Sequence, residues 1–546
     1  MINRLLEKIS GNKFIFFLII FSFVLILRGP TLFNDYYEAD ELAAITQTRD
    51  YIAGYTPLVD FAESKNFLYH SIFKFSYNLS YEYGWVIVHF ITILIVFLTS
   101  VFIFLTGKKI GSFKTGALAA MFYAVMISSF NRQFMATNGE IVYNLFFAMG
   151  LYFFIIFLES GFTKKIFFAL LVVLMSLGAV SIKFHGLMFA LFVLFFIVLY
   201  IPFRRWGLFS FYFGILCSAV LFVLIGLTAG YYSGNVLVAK AINEVVSKLY
   251  YASAPGRSFS FLDFIARFSF RQGLLSLWHY VLWIPAFIYI WRFIKSGFKS
   301  AELKESAVLL FFICTWLMVL GGGARVYFHY FMAAYPSLVI VSALAIEKLQ
   351  NNRVINNVKK NLTVLVMIPA VFFLVWNTKD IVIKHFFPDA FYKEGKILYW
   401  TRGVLLGTFN DYLLPHEDYR DTVDYIIHTT GKDDPVFVWG DGPYINYFSN
   451  RRIGGHSLWM KGSAYMIRDL YTTGDEKSLK KASAMESSLI SLLSRKKPVL
   501  IVDVSENGLS NFKVNLKEAK VLYGYVEKNY YFDKKINGMD IYRLKK

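Results

Sequence analysis

The stretch "FIFFLIIFSFVLIL" (residues 14–27), followed closely by "YYEADELAA" (residues 36–44), decides the fold class of this chain. The first stretch contains no charged residue, and with its flanks it is long enough to cross a bilayer, which requires about 20 apolar residues. A basic start precedes it and no small-residue cleavage site follows, so we interpret it as an uncleaved first span. The second stretch places three carboxylates, Glu38, Asp40 and Glu41, where that span ends.

The composition extends this pattern to most of the chain. Of its 546 residues 57% are hydrophobic, with 58 Phe and 36 Tyr, and the mean hydropathy is +0.50. Soluble globular chains contain about 45–50% apolar residues, so the sequence predicts a polytopic α-helical membrane protein. The net charge of +19 does not predict a nucleic-acid partner, because Lys and Arg concentrate in short loops between spans and near lipid head groups.

A sliding apolar window predicts about eleven spans. They lie roughly at 14–33, 85–106, 114–130, 141–158, 165–181, 187–202, 208–230, 276–292, 307–321, 331–347 and 361–376. Short basic connections alternate with the others, and the positive-inside rule places the basic set and the N-terminus in the cytoplasm. The outward-facing set comprises 34–84, 131–140, 181–186, 231–275 and 321–330.

The composition changes after about residue 376, where polar and amphipathic sequence begins. Helices ending near Gly431 and Lys497, strands at 435–440 and 498–504, and a hairpin turned at Asn537-Gly538 predict a small α/β domain. An odd number of spans places it outside the cell. We therefore divide the chain into a transmembrane domain, 1–376, and an extracytoplasmic domain, 377–546.

The long outer loop 34–84 carries its own helical pattern. Residues 40–53 read as a helix with Leu42, Ile45 and Ile52 on one side, and residues 59–75 as a second, so both are predicted to lie on the outer membrane face. Asp40 and Glu41 at the first helix start are either helix caps or a functional acid pair. Glu140, at the head of the fourth span, has the same two interpretations.

Several segments together resemble the GT-C glycosyltransferases, in particular the bacterial branch similar to protein O-mannosyltransferases and lipid A aminoarabinose transferases. That branch has an Asp-Glu pair after span one, here Asp40-Glu41, then a G-x-x-P-Y-x-D turn, here "GYTPLVD", and a K-P-P-L-type motif, here "ESKNFLY". Leu58 replaces the usual aromatic residue, and the two prolines after Lys65 are absent.

The resemblance continues along the chain. "MATNGEIVYNLFFAMGLYFF" is similar to the second acidic motif, at Glu140, and "GAVSIKFHG" to the end of span five, at Lys183. "DPVFVWGDGPYINYFSNRR" is similar to the outer domain of this branch. "GGGARVYFHYFMAAYP" is similar to an R-x-Y-x-H-Y segment and supplies Arg325, Tyr327, His329 and Tyr330.

This resemblance implies an inner-membrane enzyme that moves a hexosyl or pentosyl group from a polyprenyl phosphate to an extracytoplasmic lipid, glycan or protein, usually with inversion. It implies that Asp40 is the base, and that Glu41 and Glu140 orient the acceptor, tune Asp40 or hold a metal. No metal-binding spacing is present, so a divalent metal stays open and no other cofactor is expected. The donor phosphate would be bound by Lys65, Lys183, Arg325, His329 and Tyr330.

Alternatives remain for single residues and for the whole chain. Lys65 and Lys183 could snorkel toward head groups, and Arg325 could be a solvated loop residue. The basic, aromatic loop 231–275 is either an amphipathic surface on anionic lipid or a cover that orders when the carrier binds. A flippase for lipid-linked saccharides is the main competing function, although internal repeats are not found. A third hypothesis is a membrane-anchored sugar- or peptidoglycan-binding module.

Overall fold

The computed structural model of the chain describes residues 13–33, 39–54, 67–129, 131–200, 261–296, 302–319, 326–349, 352–386, 417–455, 458, 460–507 and 512–545. Contacts divide the chain into two units. The first comprises Met1–Tyr37, Lys65–Ile72 and Val86–Val382, and the second comprises Glu38–Ser64, Phe73–Trp85 and Ile383–Lys546. The predicted division at 376/377 stays a prediction.

Through residue 386 all regular elements of the described chain are helices. The α-helices are α1 (Lys13–Arg28), α2 (Ala39–Ile52), α3 (Phe67–Leu79), α4 (Gly84–Ile110), α5 (Phe113–Met126), α6 (Arg132–Met135), α7 (Gly139–Glu159), α8 (Phe162–Ile182), α9 (Leu187–Tyr200), α10 (Phe261–Trp278), α11 (Tyr280–Lys295), α12 (Leu303–Leu317), α13 (Phe328–Phe331), α14 (Tyr335–Lys348), α15 (Arg353–Lys360) and α16 (Leu362–Phe386). Short 3₁₀ turns occupy Gly29–Phe33, Phe184–Gly186 and Met332–Ala334.

Five stretches of the described chain are long and apolar enough to cross a membrane. They are Phe14–Phe33, Gly84–Ile110, Gly139–Glu159, Lys164–Ile182 and Phe328–Lys348. A sixth is obtained if the bent pair α10–α11, with a 109° bend, counts as one span, and three shorter apolar helices accompany them. Each predicted span overlaps a helix except 208–230, which lies outside the described residues, and the total of eleven stays a prediction.

The outer faces of these helices are apolar. On α8, Leu170, Leu174 and Leu177 are exposed at helical spacing, and on α16 Ile368 and Val375 are more than 60% exposed. Water-soluble proteins rarely leave such contiguous apolar surface uncovered. These faces are suited to contact lipid.

Inside the first unit, aromatic side chains hold the helices together. Phe147 of α7 and Phe189 of α9 both pack edge-on against Phe311 of α12, with ring centroids 5.5 and 5.4 Å apart. Edge-to-face pairs at this separation stabilise a core beyond the area that they bury, by about 0.5–1.5 kcal/mol each. The high Phe content of the sequence therefore forms the contacts that fix the positions of α7, α9 and α12.

The second unit contains a five-stranded mixed sheet in the order β2-β1-β3-β5-β4. Its elements are α17 (Glu417–Thr429), β1 (Pro435–Trp439), α18 (Pro443–Ser449), β2 (Arg452–Ile453), α19 (Lys461–Thr473), α20 (Glu476–Lys496), β3 (Leu500–Asp503), α21 (Lys520–Asn529), β4 (Tyr530–Ile536) and β5 (Met539–Leu544). Strand β1 pairs in parallel with β2 and β3, whereas β5 is antiparallel to β3 and β4. The predicted hairpin is confirmed, with positive φ at both Asn537 and Gly538.

Helix α2 belongs to this second unit and confirms the predicted helix 40–53. Its environment differs from the prediction of an interfacial helix with one apolar side, because residues 41–48 are all buried. Ala43 packs against Ile453 and Leu458, and the Asp50 carboxylate accepts a 2.9 Å hydrogen bond from the Ile453 amide. Residues about 400 positions away bury this helix, which local periodicity does not reveal.

The second predicted loop helix, 59–75, is described only in its C-terminal part. The described helix is α3, Phe67–Leu79, and residues 59–66 lie outside the described chain. In the loop 231–275, residues from Phe261 onward are helical in α10, and residues 231–260 are not described. The role of that loop as a cover stays a prediction.

Candidate active site

A buried ion pair joins the start of α7 to the end of α8. Glu140 lies in the first turn of α7, and Lys183 is the C-cap of α8. Lys183 Nζ donates to Glu140 Oε1 at 2.5 Å, and the two side chains are 13% and 1% exposed. Removal of one partner of such a pair leaves a buried charge uncompensated, which costs about 3–5 kcal/mol. The pair is therefore held tightly in position.

Aromatic rings surround this pair. Lys183 Nζ lies 4.9 Å from the centroid of the Tyr330 ring, a cation–π distance. Tyr330 stacks on His185 with centroids 5.6 Å apart and meets His329 edge-on at 4.6 Å. The predicted residues Glu140, Lys183, His329 and Tyr330 therefore meet at one end of the first unit, although they come from three separate connections.

Gln133 holds the His329 segment in place. Its Oε1 accepts a 3.1 Å hydrogen bond from the His329 amide and lies 3.1 Å from His329 Nδ1. The Asn138 side-chain amide donates to the Gln133 carbonyl at 2.6 Å, directly before α7 begins. One short segment, 131–138, thus fixes both Glu140 and His329.

Arg28, at the end of α1, anchors that same segment. Its guanidinium donates to the carbonyls of Ile127, Phe134 and Met135 at 3.1, 3.0 and 2.6 Å. The side chain is 1% exposed. A planar guanidinium with five donors suits several carbonyls at once. Arg28 therefore holds this segment in position, and no local sequence pattern indicated these contacts.

Gly186 fixes the turn that carries Lys183. A Cβ at this position would lie 2.2 Å from the Ala179 carbonyl carbon and 2.5 Å from the Val180 nitrogen. These are backbone atoms of α8, so they cannot move aside as a flexible side chain could. Only glycine lets the 3₁₀ turn Phe184–Gly186 pack against the helix that it follows.

Arg271 also belongs to this region, although the sequence places it in the predicted outer loop 231–275. It was predicted to be part of a basic surface or cover, but it is buried in α10 and donates to the Val326 carbonyl at 2.5 Å. Its guanidinium lies 5.7 and 5.3 Å from the rings of Tyr327 and Phe328. It therefore contacts the three residues that directly precede His329.

Tyr143 adds a polar group next to Glu140, one helical turn further along α7. The ring is fully buried, and its hydroxyl has no hydrogen-bond partner among the described residues. Spacing of i and i+3 from Glu140 is a signal that sequence analysis could have used. A ligand oxygen near Glu140 could complete the hydrogen bonding of this hydroxyl.

The other predicted acids lie in the second unit. Asp40 and Glu41 occupy the first turn of α2, where the positive end of the helix dipole favours carboxylates. Glu41 is fully buried and Asp40 is partly exposed. Lys65 and Arg325 lie outside the described residues. The convergence of Asp40, Glu41, Lys65 and Arg325 with Glu140 therefore stays a prediction.

A metal site is not formed by the described part of the chain alone. No group of three His, Cys, Asp or Glu side chains there is arranged to hold an ion. The hypothesis that a divalent metal binds near Glu41 and Glu140 therefore stays open.

Comparisons with solved structures place this geometry in a known fold. The chain is similar to ArnT from Cupriavidus metallidurans, both in the apo state and bound to undecaprenyl phosphate, with a TM-score of 0.58 in each case. Identity is 10% and 12%, and 96–98% of this chain and 97–98% of the ArnT chain are covered. No protein-family model and no curated protein sequence matches the chain.

An archaeal oligosaccharyltransferase has the same overall fold. AglB from Archaeoglobus fulgidus, in complex with an inhibitory peptide and a dolichol-phosphate, is similar with a TM-score of 0.53 and 10% identity, covering 98% of this chain and 75% of AglB. ArnT and AglB are both GT-C proteins. The chain therefore has the overall fold that ArnT and AglB share. With its apolar, outwardly exposed helices, it is a multi-pass membrane protein.

Proposed function

We propose that this chain is an integral-membrane glycosyltransferase that transfers a sugar from a polyprenyl-phosphate donor to an extracytoplasmic acceptor. The observation that carries the proposal is the buried Glu140–Lys183 pair beside Tyr330, which in turn contacts His329, in a chain with the GT-C fold. ArnT binds undecaprenyl phosphate and AglB binds a dolichol-phosphate, so a lipid phosphate is the ligand class that this fold supports best.

Lys183 is the residue that we assign to the donor phosphate. Its ammonium is buried beside Glu140 and Tyr330, and an ammonium has three N–H donors, enough for a carboxylate and a phosphate oxygen together. Glu140 would keep Lys183 oriented and offset its charge when the donor is absent. In a water-poor site, such a fixed cation stabilises the charge that develops on the leaving phosphate. His329 and Tyr330 would line the same site, and Lys65 and Arg325 are further candidates.

The proposed reaction is a single displacement at the anomeric carbon. The acceptor oxygen forms a bond to that carbon while the bond to the phosphate oxygen breaks, and polyprenyl phosphate leaves. Asp40 would accept the acceptor hydroxyl proton, a contribution of about 10²–10⁴-fold for a positioned general base. Glu41 would orient the acceptor or Asp40. The inner membrane and its extracytoplasmic face are the proposed location, and sugar and acceptor identity are left to experiment.

Substitution of Asp40 tests the assignment of the base. Purified protein in lipid vesicles is supplied with a radiolabelled polyprenyl-phosphate sugar and extracted envelope acceptors. We expect Asp40→Asn to lower transfer by at least about 100-fold while donor binding is retained, because the amide cannot take the proton.

The matched control is Glu82→Gln, since Glu82 is an exposed acid of the same loop. We expect it to transfer sugar at the wild-type rate. Full activity in Asp40→Asn would remove Asp40 from the chemistry. Donor movement across the bilayer without any sugar transfer would instead favour a flippase.

A further inference from the structure

A cleft in the second unit contains a second group of charged and aromatic side chains, separate from the residues assigned above. It has a volume of about 200 Å³ and is formed between the C-terminal half of α2, the segment around Tyr81 and the chain on either side of α18. Its ionisable lining residues are Arg49, Asp50, Lys432, Asp433, Arg451 and Arg452. Four of these are basic and two are acidic, so the cleft carries a net positive charge.

The basic residues of the cleft are not equally engaged. Arg452 pairs with Asp433 at 2.5 Å. The Arg451 guanidinium donates to the Thr430 carbonyl at 2.9 Å and to the Ser449 carbonyl at 2.7 Å, so it links the end of α17 to the end of α18. These two residues therefore have protein partners for their charge or their donors. Arg49 and Lys432 remain as the cations that a ligand could engage.

Arg49 is held by aromatic rings rather than by an acid. Its guanidinium carbon lies 4.7, 5.7 and 5.8 Å from the centroids of Tyr447, Tyr81 and Tyr77. One N–H donates to the Tyr447 carbonyl at 3.3 Å, and Nε has no acceptor among the described residues. An ion pair of Arg49 with a carboxylate is also not found in the described chain. The rings therefore fix the orientation of a guanidinium that forms no salt bridge within the described chain.

Lys432 approaches the same tyrosine. Its ammonium lies 5.4 Å from the Tyr81 ring centroid, and the residue is exposed. The Tyr81 hydroxyl donates to Asn450 Oδ1 at 3.3 Å, so the ring is held in place. The cations of Arg49 and Lys432 therefore both lie within 6 Å of the Tyr81 ring centroid. A ligand between them would be anionic, and the Asn and Asp side chains nearby suit hydroxyl groups.

We propose that this cleft binds an anionic sugar, a single ring that carries a phosphate or carboxylate group. The volume accommodates one such ring, the Arg49 guanidinium matches the geometry of an anionic oxygen pair, and Asp433 and Asn450 can meet ring hydroxyls. Every residue of the site lies in the second unit. The proposal is therefore independent of the transfer reaction assigned to Glu140 and Lys183.

The test uses the full-length protein in nanodiscs of neutral lipid, with saturation-transfer NMR and titration calorimetry. The probes are glucose 6-phosphate, glucose and inorganic phosphate. We expect glucose 6-phosphate to bind with a dissociation constant on the order of 1 mM, as one sugar ring with one charged group makes few contacts. Glucose and inorganic phosphate should each bind at least about tenfold more weakly, because each lacks half of the recognised chemistry.

The variants separate the cleft from general surface charge. Arg49→Met keeps a long stem among the three rings and removes the charge, so we expect at least a tenfold loss of glucose 6-phosphate affinity. Lys432→Gln, at an exposed position that should fold normally, should weaken binding by about two- to fivefold. Lys480→Gln is the control, because Lys480 is an exposed member of an i,i+4 pair in α20, and its affinity should equal that of wild type.

Three results would overturn the proposal. One is a lack of glucose 6-phosphate binding to the wild type. Another is a glucose 6-phosphate affinity that is unchanged from wild type in both Lys432→Gln and a folded Arg49→Met protein. The third is inorganic phosphate binding as tightly as the sugar phosphate, which would reduce the cleft to a general anion site.

Discussion

The two ends of helix α7 hold the same kind of ion pair in opposite surroundings. At its start, Glu140 is 1% exposed and pairs with Lys183, which lies against an aromatic ring. At its end, Glu159 is 32% exposed and lies 2.7 Å from each of two lysines, Lys109 and Lys304. The exposed pairs contribute little to stability, since such pairs are worth about 0–1 kcal/mol. The buried pair has a net cost of desolvation that a functional role would explain.

The partners at each end also agree with the predicted topology. Glu159, Lys109 and Lys304 belong to or border connections that the positive-inside rule groups on one side. Glu140, Lys183 and Tyr330 come from connections grouped on the other side. The structure brings each group together separately, so the two ends of α7 differ in chemistry as well as in exposure. One end carries surface charge, and the other has the residues of the proposed donor site.

Substitution of Glu140 should have the largest effect. We expect Glu140→Gln to lower sugar transfer by about 10²–10³-fold, because the amide cannot compensate the charge of Lys183 or act on the acceptor. The measurement is the initial rate in proteoliposomes at saturating donor. The melting temperature of the Glu140→Gln protein serves as the folding control. A folded Glu140→Gln protein with wild-type activity would show that this end of α7 is only structural.

Asp50 extends the comparison to a buried acid of the second unit, in a helix that is not among the candidate spans. Burial raises the pKa of Asp50 to about 6, while the Ile453 amide and the cations of Lys496, Arg452 and Arg49 act in the opposite direction. Because the folded-state pKa lies above the unfolded value of 3.8, the stabilisation is complete below about pH 4 and is lost as pH rises through 6.

Asp50→Asn removes that pH dependence and keeps an oxygen for the Ile453 amide. We expect the stability of the variant relative to wild type to increase by about 2–3 kcal/mol between pH 4 and pH 7. The difference in melting temperature between the two proteins, followed across this range, measures it. A difference that does not vary with pH would contradict the assigned pKa shift.

Substitution of Glu159 should have the smallest effect. We expect Glu159→Gln to change transfer less than about twofold and the stability by less than about 1 kcal/mol, because water screens both of its lysine contacts. The same proteoliposome assay measures it in parallel with Glu140→Gln. Equal losses in the two variants would abolish the distinction between the two ends of α7.

Much of this architecture could be predicted from the sequence because it depends on local pattern. Apolar runs predicted the helices, and Asn537-Gly538 predicted the hairpin. Resemblance singled out Glu140, Lys183, His329 and Tyr330, whose side chains form one chain of contacts, and their roles stay predictions. The number of spans stays a prediction, since an apolar window does not distinguish a straight span from the bent pair α10–α11.

The supporting residues could not be predicted, because they act through contacts that join distant parts of the chain. Arg28 binds carbonyls about 100 positions away, and Gln133 binds His329, 196 positions away. Arg271 lies in a loop predicted to be a basic surface or cover, but it is buried and contacts Val326 and Tyr327. Likewise, the burial of α2 depends on Ile453 and Leu458. None of these contacts leaves a periodicity in the sequence.

Lipid-phosphate binding by the Lys183 end of the first unit is the central claim, and native mass spectrometry tests it most directly. Wild-type protein, Lys183→Met and the control Lys109→Met are titrated with undecaprenyl phosphate in detergent. We expect Lys183→Met to bind at least about tenfold more weakly than wild type, because a buried cation beside the phosphate is lost, and Lys109→Met to bind equally well. Equal affinity in all three folded proteins would contradict the assignment of the donor site.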